Sequence, residues 1–277
     1  MGRRTKEVSQ MELGIVGTGS MGSMLTRTWC ASETVPRVHV CNRTLEKAER
    51  LAALYPCHVH VHESVAELAR VADWIFLCVK PQDARDLLPI VGQTISSHGL
   101  VITTNSAIGL AELEASLPCA AVKLIPSVTQ EVRTGALLIM TGKRVTDEQE
   151  ASLFSLLSSL GQPVRIPEEQ LRVYSDMSSC GPAFLADWLL MFAAAAARRG
   201  VPEDVARHLL EHMVQGVGKL SASGYTLSDI VQRVAVPGGV TSEGLRILHE
   251  HQGDTFDALL AATERRQREH QQSAPHR

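Results

Sequence analysis

Residues 12–22, ELGIVGTGSMG, join a short apolar run to the helical run Met24–Trp29 through a turn that holds three glycines. In such a turn the first glycine permits the tight bend, the second lets the backbone approach a phosphate, and the third lets helix and strand pack closely. The helix that follows offers free N–H groups and the positive end of its dipole. The segment therefore predicts a dinucleotide-binding turn, and a glycine turn without a ligand is the alternative. The predicted binding residues are Gly17, Thr18, Gly19, Ser20, Met21 and Gly22.

Apolar runs typical of strands recur through the first half of the chain. They are Leu13–Val16, Val38–Cys41, Trp74–Val79, Leu100–Thr103, Ala121–Ile125 and Ala136–Met140. Stretches with helical spacing of apolar residues separate the first several runs. This alternation predicts a Rossmann-type parallel sheet that is covered by helices on both faces.

The pattern changes near Pro163–Pro167, because the chain beyond this point consists of long helical segments separated by glycine and proline. We therefore predict an α/β domain over residues 12–167, followed by an all-helical domain over residues 168–270. The segments 1–11 and 271–277 are polar and aperiodic, and we expect them to be disordered.

Composition excludes several classes of protein. The chain has 277 residues, 44% of them apolar, with 27 basic and 30 acidic side chains. This length supports a full hydrophobic core, and the absence of a basic excess argues against a nucleic-acid partner. Six cysteines without a Cys-x-x-Cys pair predict neither a disulfide framework nor a zinc knuckle, which favours a cytoplasmic protein.

The most apolar run, Ala183–Ala197, holds 15 residues. Since a bilayer core is about 30 Å thick, we predict a buried helix here and no membrane span.

The end of the second predicted strand bears on the choice of dinucleotide. An acidic residue there is typical of NAD-binding proteins, whereas this strand continues into Asn42, Arg43 and Thr44. A guanidinium suits a 2′-phosphate, so we predict NADP(H) in preference to NAD(H). A solvated loop arginine is the alternative for Arg43.

His58, His60 and His62 alternate, so on a strand the three imidazoles would share one face. Such a face could hold a transition metal. A solvent-facing edge strand explains the same pattern, and we predict no metal site.

Several segments together resemble the pyrroline-5-carboxylate reductase family, and the resemblance runs from about residue 12 to residue 268. They are the Gly17–Gly22 turn, Phe76–Gln82, Ser179–Phe184 and Pro237–Leu245. The resemblance implies that residues 12–167 bind NADP and that residues 168–270 bind substrate and form a homodimer or a higher homo-oligomer. It also implies a reductase that passes a hydride from NAD(P)H to 1-pyrroline-5-carboxylate and gives L-proline.

The resemblance further implies roles for individual residues. Cys78, Val79, Lys80 and Pro81 would line the cofactor, although Lys80 could equally be a solvated surface lysine. Backbone N–H groups of the Pro-Gly-Gly loop would hold the substrate carboxylate, and the catalytic residue would be Thr241, whose hydroxyl would bond to the ring nitrogen. The alternative is that this loop only starts a helix. The substrate-binding residues on this basis are Val236, Pro237, Gly238, Gly239, Val240 and Thr241.

Departures from the family pattern fall on the substrate side. Val236 stands where Ser or Thr is usual, and Asn105–Gly109, Ile125–Thr129 and Ile230–Arg233 replace other family motifs. These variants look like those of the late-competence ComER-type paralogues. Two hypotheses follow: an imine reductase that makes proline, or a regulatory or accessory protein that binds the cofactor with weak or no proline-forming activity.

Overall fold

The computed structural model describes residues 10–31 and 37–272. The chain forms two compact units, one that runs to Cys180 and takes in the chain from Gln267, and one over Gly181–Arg266. The boundary near residue 167 stays a prediction. Of the predicted disordered segments, residues 1–9 and 273–277 lie outside the described residues. Met11 is buried in the core, and the last helix reaches Gln272.

The first unit is built on one eight-stranded sheet. Its order is β3-β2-β1-β4-β5-β6-β7-β8, and every described pair is parallel except β6 with β7. The strands are β1 Glu12–Val16, β2 Arg37–Cys41, β3 Val59–Val61, β4 Trp74–Leu77, β5 Leu100–Thr103, β6 Ala120–Ile125, β7 Ala136–Thr141 and β8 Gln162–Arg165. The Rossmann-type fold is therefore confirmed, with β3 and β8 as strands at the two edges that the apolar runs did not reveal.

Helices cover both faces of this sheet. Side chains of α1 and α6 join one core cluster, while α3, α4 and α5 join the other. The helices of the first unit are α1 Ser20–Cys30, α2 Leu45–Ala53, α3 Val65–Val71, α4 Pro81–Thr94, α5 Leu110–Ser116, α6 Asp147–Ser158 and α7 Leu171–Ser175. Because both faces are covered, all four residues of β4 are buried, as the apolar run predicts.

The second unit is all helical, as predicted. A π-helical turn over Asp176–Cys180 follows α7 and leads into the first helix of the second unit. Its helices are α8 Gly181–Ala197, α9 Glu203–Ala222, α10 Leu227–Val234, α11 Val240–Gln252 and α12 Thr255–Gln272, whose last residues belong to the first unit.

The prediction of a buried helix over residues 183–197 is wrong for the single chain. Only Ala193 of α8 is buried, and Phe192 is 52% exposed. Helix α8 contacts α9, yet this contact leaves most of its apolar side chains uncovered, and α9 also exposes large side chains, including Leu209 at 62%. Apolar content alone does not say whether the covering surface belongs to the same chain.

Within the described residues, one helical stretch, Glu168–Ala197, is long and apolar enough to cross a membrane by length and composition. The predicted apolar run was too short because it counted only part of this stretch. One such helix is weak evidence for a span, and the absence of a membrane partner stays a prediction.

Candidate active site

The glycine turn between β1 and α1 requires glycine at two positions. Gly17 has a φ of +95°, and a Cβ atom there would lie 2.6 Å from both the Cys78 carbonyl oxygen and a Val79 methyl carbon. A Cβ atom on Gly22 would overlap the Gly17 carbonyl oxygen. By contrast, a Cβ atom on Gly19 would meet nothing within 4 Å. The first and third glycines thus serve chain packing, and the second leaves an open surface.

The start of α1 has the properties of an anion site. The first helical hydrogen bond runs from Ser23 N to Gly19 O, so the N–H groups of Ser20, Met21 and Gly22 have no acceptor within the helix. No side chain caps this end, and no acidic residue lies in its first turn. In the described part of the chain, the buried Thr18 hydroxyl has no hydrogen-bond partner. These free donors fit the pyrophosphate of a dinucleotide.

The loop after β2 lies against the glycine turn. The Thr18 backbone N–H donates to Asn42 Oδ1 at 3.0 Å, and Asn42 Nδ2 donates to the Thr44 carbonyl at 2.9 Å. Arg43 extends into solvent with 88% of its side chain exposed, and its Nη1 lies 3.5 Å from Asp83 Oδ1. Such an exposed pair holds the guanidinium weakly, so Arg43 is free to meet a phosphate at this edge.

The loop after β4 forms the other side of the turn. Cys78 N donates to the Val16 carbonyl at 2.8 Å, and burial raises the pKa of the Cys78 thiol to about 12. Lys80 is exposed and caps α4, with Pro81 as the first helical residue. The predicted cofactor residues of all three loops therefore meet at the carboxyl edge of β1, β2 and β4, where α/β sheets bind ligands.

One residue at this edge was not among the predicted site residues. Asn105, at the end of β5, donates from Nδ2 to the Val79 carbonyl at 3.4 Å and accepts from Ala107 N at Oδ1. Its place immediately after a parallel strand is the sequence signal that could have identified it.

The Pro-Gly-Gly loop lies in the second unit and starts α11. Gly238 has a φ of +74°, and Gly239 is the N-cap residue. The Val236 carbonyl accepts from Gly239 N at 3.0 Å and from Ser242 Oγ at 2.6 Å. Ser242, which sequence reasoning missed, therefore fixes the shape of the loop.

The predicted substrate residues of this loop are open to solvent. The Val236 side chain is 57% exposed, and Val240 and Thr241 are exposed as well. Thr241 is the second residue of α11, where backbone N–H groups have no intrahelical acceptor. The loop can bind an anion, and it also starts a helix, so both interpretations of the sequence fit it.

A partly buried polar network joins β1 and β2 to the residue that follows β3. His39 Nε2 lies 2.8 Å from Glu12 Oε2, and His39 Nδ1 lies 2.8 Å from His62 Nε2. Burial lowers the pKa of His62, and His39 lowers it further. The ring of His60 lies near that of His39 without a hydrogen bond. The structure therefore groups His39 with His60 and His62, whereas the sequence pattern grouped His58, His60 and His62. In residues 10–31 and 37–272, no three His, Cys, Asp or Glu side chains are placed to hold a metal.

A second polar cluster lies beside the loop after β5, where Lys123 Nζ donates to the Ser106 carbonyl at 3.3 Å. Lys123 of β6 is buried, with its side chain 3% exposed, and its Nζ donates to Glu168 Oε1 at 2.8 Å. Glu168 also accepts from Leu110 N at the start of α5. It lines a cavity of about 640 Å³ that includes no predicted site residue. The pair joins β6, α5 and the segment before α7.

Two family models match different parts of the chain. Residues 168–270 match the model described as pyrroline-5-carboxylate reductase dimerisation, and residues 12–106 match the model described as NADP oxidoreductase coenzyme F420-dependent.

Similar proteins extend over nearly the whole chain. ComE operon protein 4 of Bacillus subtilis is 32% identical over 257 residues, which cover 91% of this chain and 94% of that protein. Pyrroline-5-carboxylate reductase 3 of Bacillus subtilis is 29% identical over 262 residues, which cover 92% of this chain and 95% of that protein.

Solved structures share the fold. A pyrroline-5-carboxylate reductase from Coxiella burnetii superposes with a TM-score of 0.86 at 23% identity, over 94% of this chain and 98% of that one. The Plasmodium falciparum pyrroline carboxylate reductase with NADP bound gives a TM-score of 0.77 at 20% identity, over 95% of this chain and 98% of that one. From its relatives over the full length, the chain belongs to the pyrroline-5-carboxylate reductase family of oxidoreductases, as its motifs predict.

Proposed function

We propose that the protein is an NADPH-dependent reductase that converts 1-pyrroline-5-carboxylate to L-proline. The observation that carries this proposal is the uncapped start of α1 beside the buried, unpartnered Thr18 hydroxyl, in a chain related throughout to such reductases. Arg43 supports NADP(H), with NAD(H) as the alternative, because its exposed guanidinium can bind a 2′-phosphate.

The proposed reaction needs binding and orientation more than acid–base chemistry. Bound NADPH supplies a hydride. The protonated imine accepts the hydride at carbon, and the electron pair of the C=N bond moves to nitrogen as the amine forms. The N–H groups at the start of α1 bind the pyrophosphate, and those at the start of α11 bind the substrate carboxylate. The Thr241 hydroxyl accepts a hydrogen bond from the ring N–H and holds it in place.

A second candidate function is a cofactor-binding protein with weak or no proline-forming activity and a regulatory or accessory role. Two observations favour it. Val236 presents an apolar side chain where a hydroxyl would help to hold the carboxylate, and the chain is 32% identical to ComE operon protein 4.

One experiment separates the two candidates. Purified protein is mixed with NADPH and DL-1-pyrroline-5-carboxylate, and the loss of NADPH absorbance is followed beside a Thr241→Ala variant. A titration of NADPH alone is run in parallel. Saturable turnover that falls in the variant supports the reductase and the role of Thr241. NADPH binding without turnover supports the second candidate, and absence of binding in titrations with both NADPH and NADH contradicts both.

We also propose that the protein is a cytoplasmic homodimer or higher homo-oligomer that acts on a small molecule. The exposed apolar side chains of α8 and α9, including Phe192 and Leu209, support this assembly, as does the match to a dimerisation model. Sedimentation at micromolar concentration tests it, because a monomer would leave these side chains in water.

A further inference from the structure

Two histidines on α9 form a pair that the proposed reaction does not use. His208 and His212 are both exposed, and their Nε2 atoms lie 3.0 Å apart. The ring centroids are 4.3 Å apart, and the rings are nearly perpendicular. Residues four apart on a helix lie on the same face, so the backbone of α9 holds both imidazoles on one side.

The short distance means that the two nitrogens compete for one proton. In neutral imidazole, one ring nitrogen donates and the other accepts. At 3.0 Å one Nε2 donates to the lone pair of the other, and a cation that replaces this proton gains two nitrogen ligands at once. Two histidines at this spacing on one helix face are a known arrangement for metal binding.

The distance is compatible with chelation. Imidazole nitrogens bind a divalent metal at about 2.0 to 2.1 Å, so two nitrogens 3.0 Å apart enclose an angle of about 94° at the metal. A tetrahedral pair needs a separation of about 3.3 to 3.4 Å at the same bond length. Both rings are exposed, so the pair can serve a square-planar, an octahedral or a tetrahedral ion, and Cu²⁺ heads the general order of affinities.

We infer that His208 and His212 form a two-histidine site for one divalent transition-metal ion per chain, such as Cu²⁺, Ni²⁺ or Zn²⁺. No third His, Cys, Asp or Glu completes a cluster in the part of the chain that the structure describes, so water fills the other positions. The nearby acidic residues Asp204 and Glu211 lie on the same helix and add attraction for a cation.

The other histidine groups in the described part of the chain do not share this helical geometry and provide the control. His249 and His251 are two apart on α11, so they point to different sides of the helix. The buried His39 has both ring nitrogens engaged, one with Glu12 and one with His62.

The test uses the full-length protein without a histidine tag, titrated calorimetrically with NiCl₂ and ZnCl₂ in a non-coordinating buffer. His208→Asn and His212→Asn are compared with a matched control, the double variant His249→Asn and His251→Asn. Circular dichroism and sedimentation confirm that each variant keeps its fold and assembly. The paramagnetic resonance spectrum of bound Cu²⁺ is recorded for the same four proteins.

We expect one Ni²⁺ site per chain, and Zn²⁺ should bind to the same two histidines. Since changes beside a ligand already cost ten to a hundredfold in metal affinity, either single substitution should weaken Ni²⁺ binding by at least about tenfold. The control should bind as the unmodified protein does. The Cu²⁺ spectrum should show two coupled nitrogens, reduced to at most one in each single variant.

Two results would overturn the inference. They are Ni²⁺ binding that survives both single substitutions and a stoichiometry of one ion for two chains. Absence of Ni²⁺ binding to the unmodified protein would overturn it as well.

Discussion

Substitution of the turn glycines separates chain packing from ligand binding. Gly17→Ala places a methyl group 2.6 Å from the Cys78 carbonyl oxygen, at a φ of +95°. Gly19→Ala places the same methyl group where nothing lies within 4 Å. The two positions are only two residues apart. The structure predicts that Gly17→Ala lowers stability, whereas Gly19→Ala keeps stability and lowers NADPH affinity.

The expected energies follow from these contacts. A left-handed backbone costs alanine about 1 to 2 kcal/mol, and overlap with packed atoms adds about 1 to 3 kcal/mol. Gly17→Ala should therefore lower the free energy of unfolding by about 2 to 5 kcal/mol. Gly19→Ala should cost about 1 kcal/mol or less, since alanine is only a poorer N-cap residue. Its methyl group, however, occupies the side from which a phosphate would approach.

The assays are urea unfolding for stability and fluorescence titration for NADPH affinity. Gly19→Ala should remain close to the unmodified protein in stability and lose at least about tenfold in NADPH affinity, which corresponds to about 1.4 kcal/mol. Equal NADPH affinity of Gly19→Ala and the unmodified protein would refute the phosphate-binding role of the turn. Equal stability of the two variants would refute the packing argument for Gly17.

Four further outcomes are expected. Arg43→Asp should raise the KM for NADPH sharply and spare NADH, and equal effects on both would contradict the 2′-phosphate role. The Cys78 thiol, with its pKa raised by burial from 9.0 to about 12, should resist alkylation by iodoacetamide below pH 9. The Cys78 thiol of the unfolded chain ionises at lower pH than the folded one, so the free energy of unfolding should fall between pH 9 and 12. In urea unfolding, this fall should be smaller in Cys78→Ala, which lacks the thiol. Glu168→Gln should lower the free energy of unfolding in urea by about 3 kcal/mol, because the buried Lys123 ammonium loses its charged partner and keeps the neutral Ser106 carbonyl as an acceptor. The added change Lys123→Met should recover most of this loss.

Local patterns in the sequence were enough to predict the main sheet and its first turn. Residues 12–22 contain both the strand and the glycines whose packing the structure shows. The alternating histidines indicated an edge strand at β3, although no apolar run marks its three residues. Strand β8 escaped because it holds Gln162 and Pro163 at the other edge of the sheet. Edge strands need little apolar surface, so no apolar run marks them.

Contacts between distant residues could not be predicted in the same way. Glu12, His39 and His62 meet because parallel strands bring them together, and no spacing within one segment shows this. The prediction that α8 is buried failed for another reason. Its apolar side chains, Phe192 among them, need a covering surface, and the composition of one chain does not say where that surface is.

The substitution at Val236 does not by itself decide between the two candidate functions. The Val236 carbonyl oxygen, not its side chain, accepts the bonds from Gly239 N and Ser242 Oγ that shape the loop. A valine in place of the family's Ser or Thr therefore keeps the loop and removes one hydroxyl, which costs about 1 kcal/mol, a several-fold effect on substrate binding. That is too little to abolish turnover. The choice rests on Thr241, which stands exposed at the start of α11 and is the one hydroxyl that the proposed reaction assigns to the ring nitrogen.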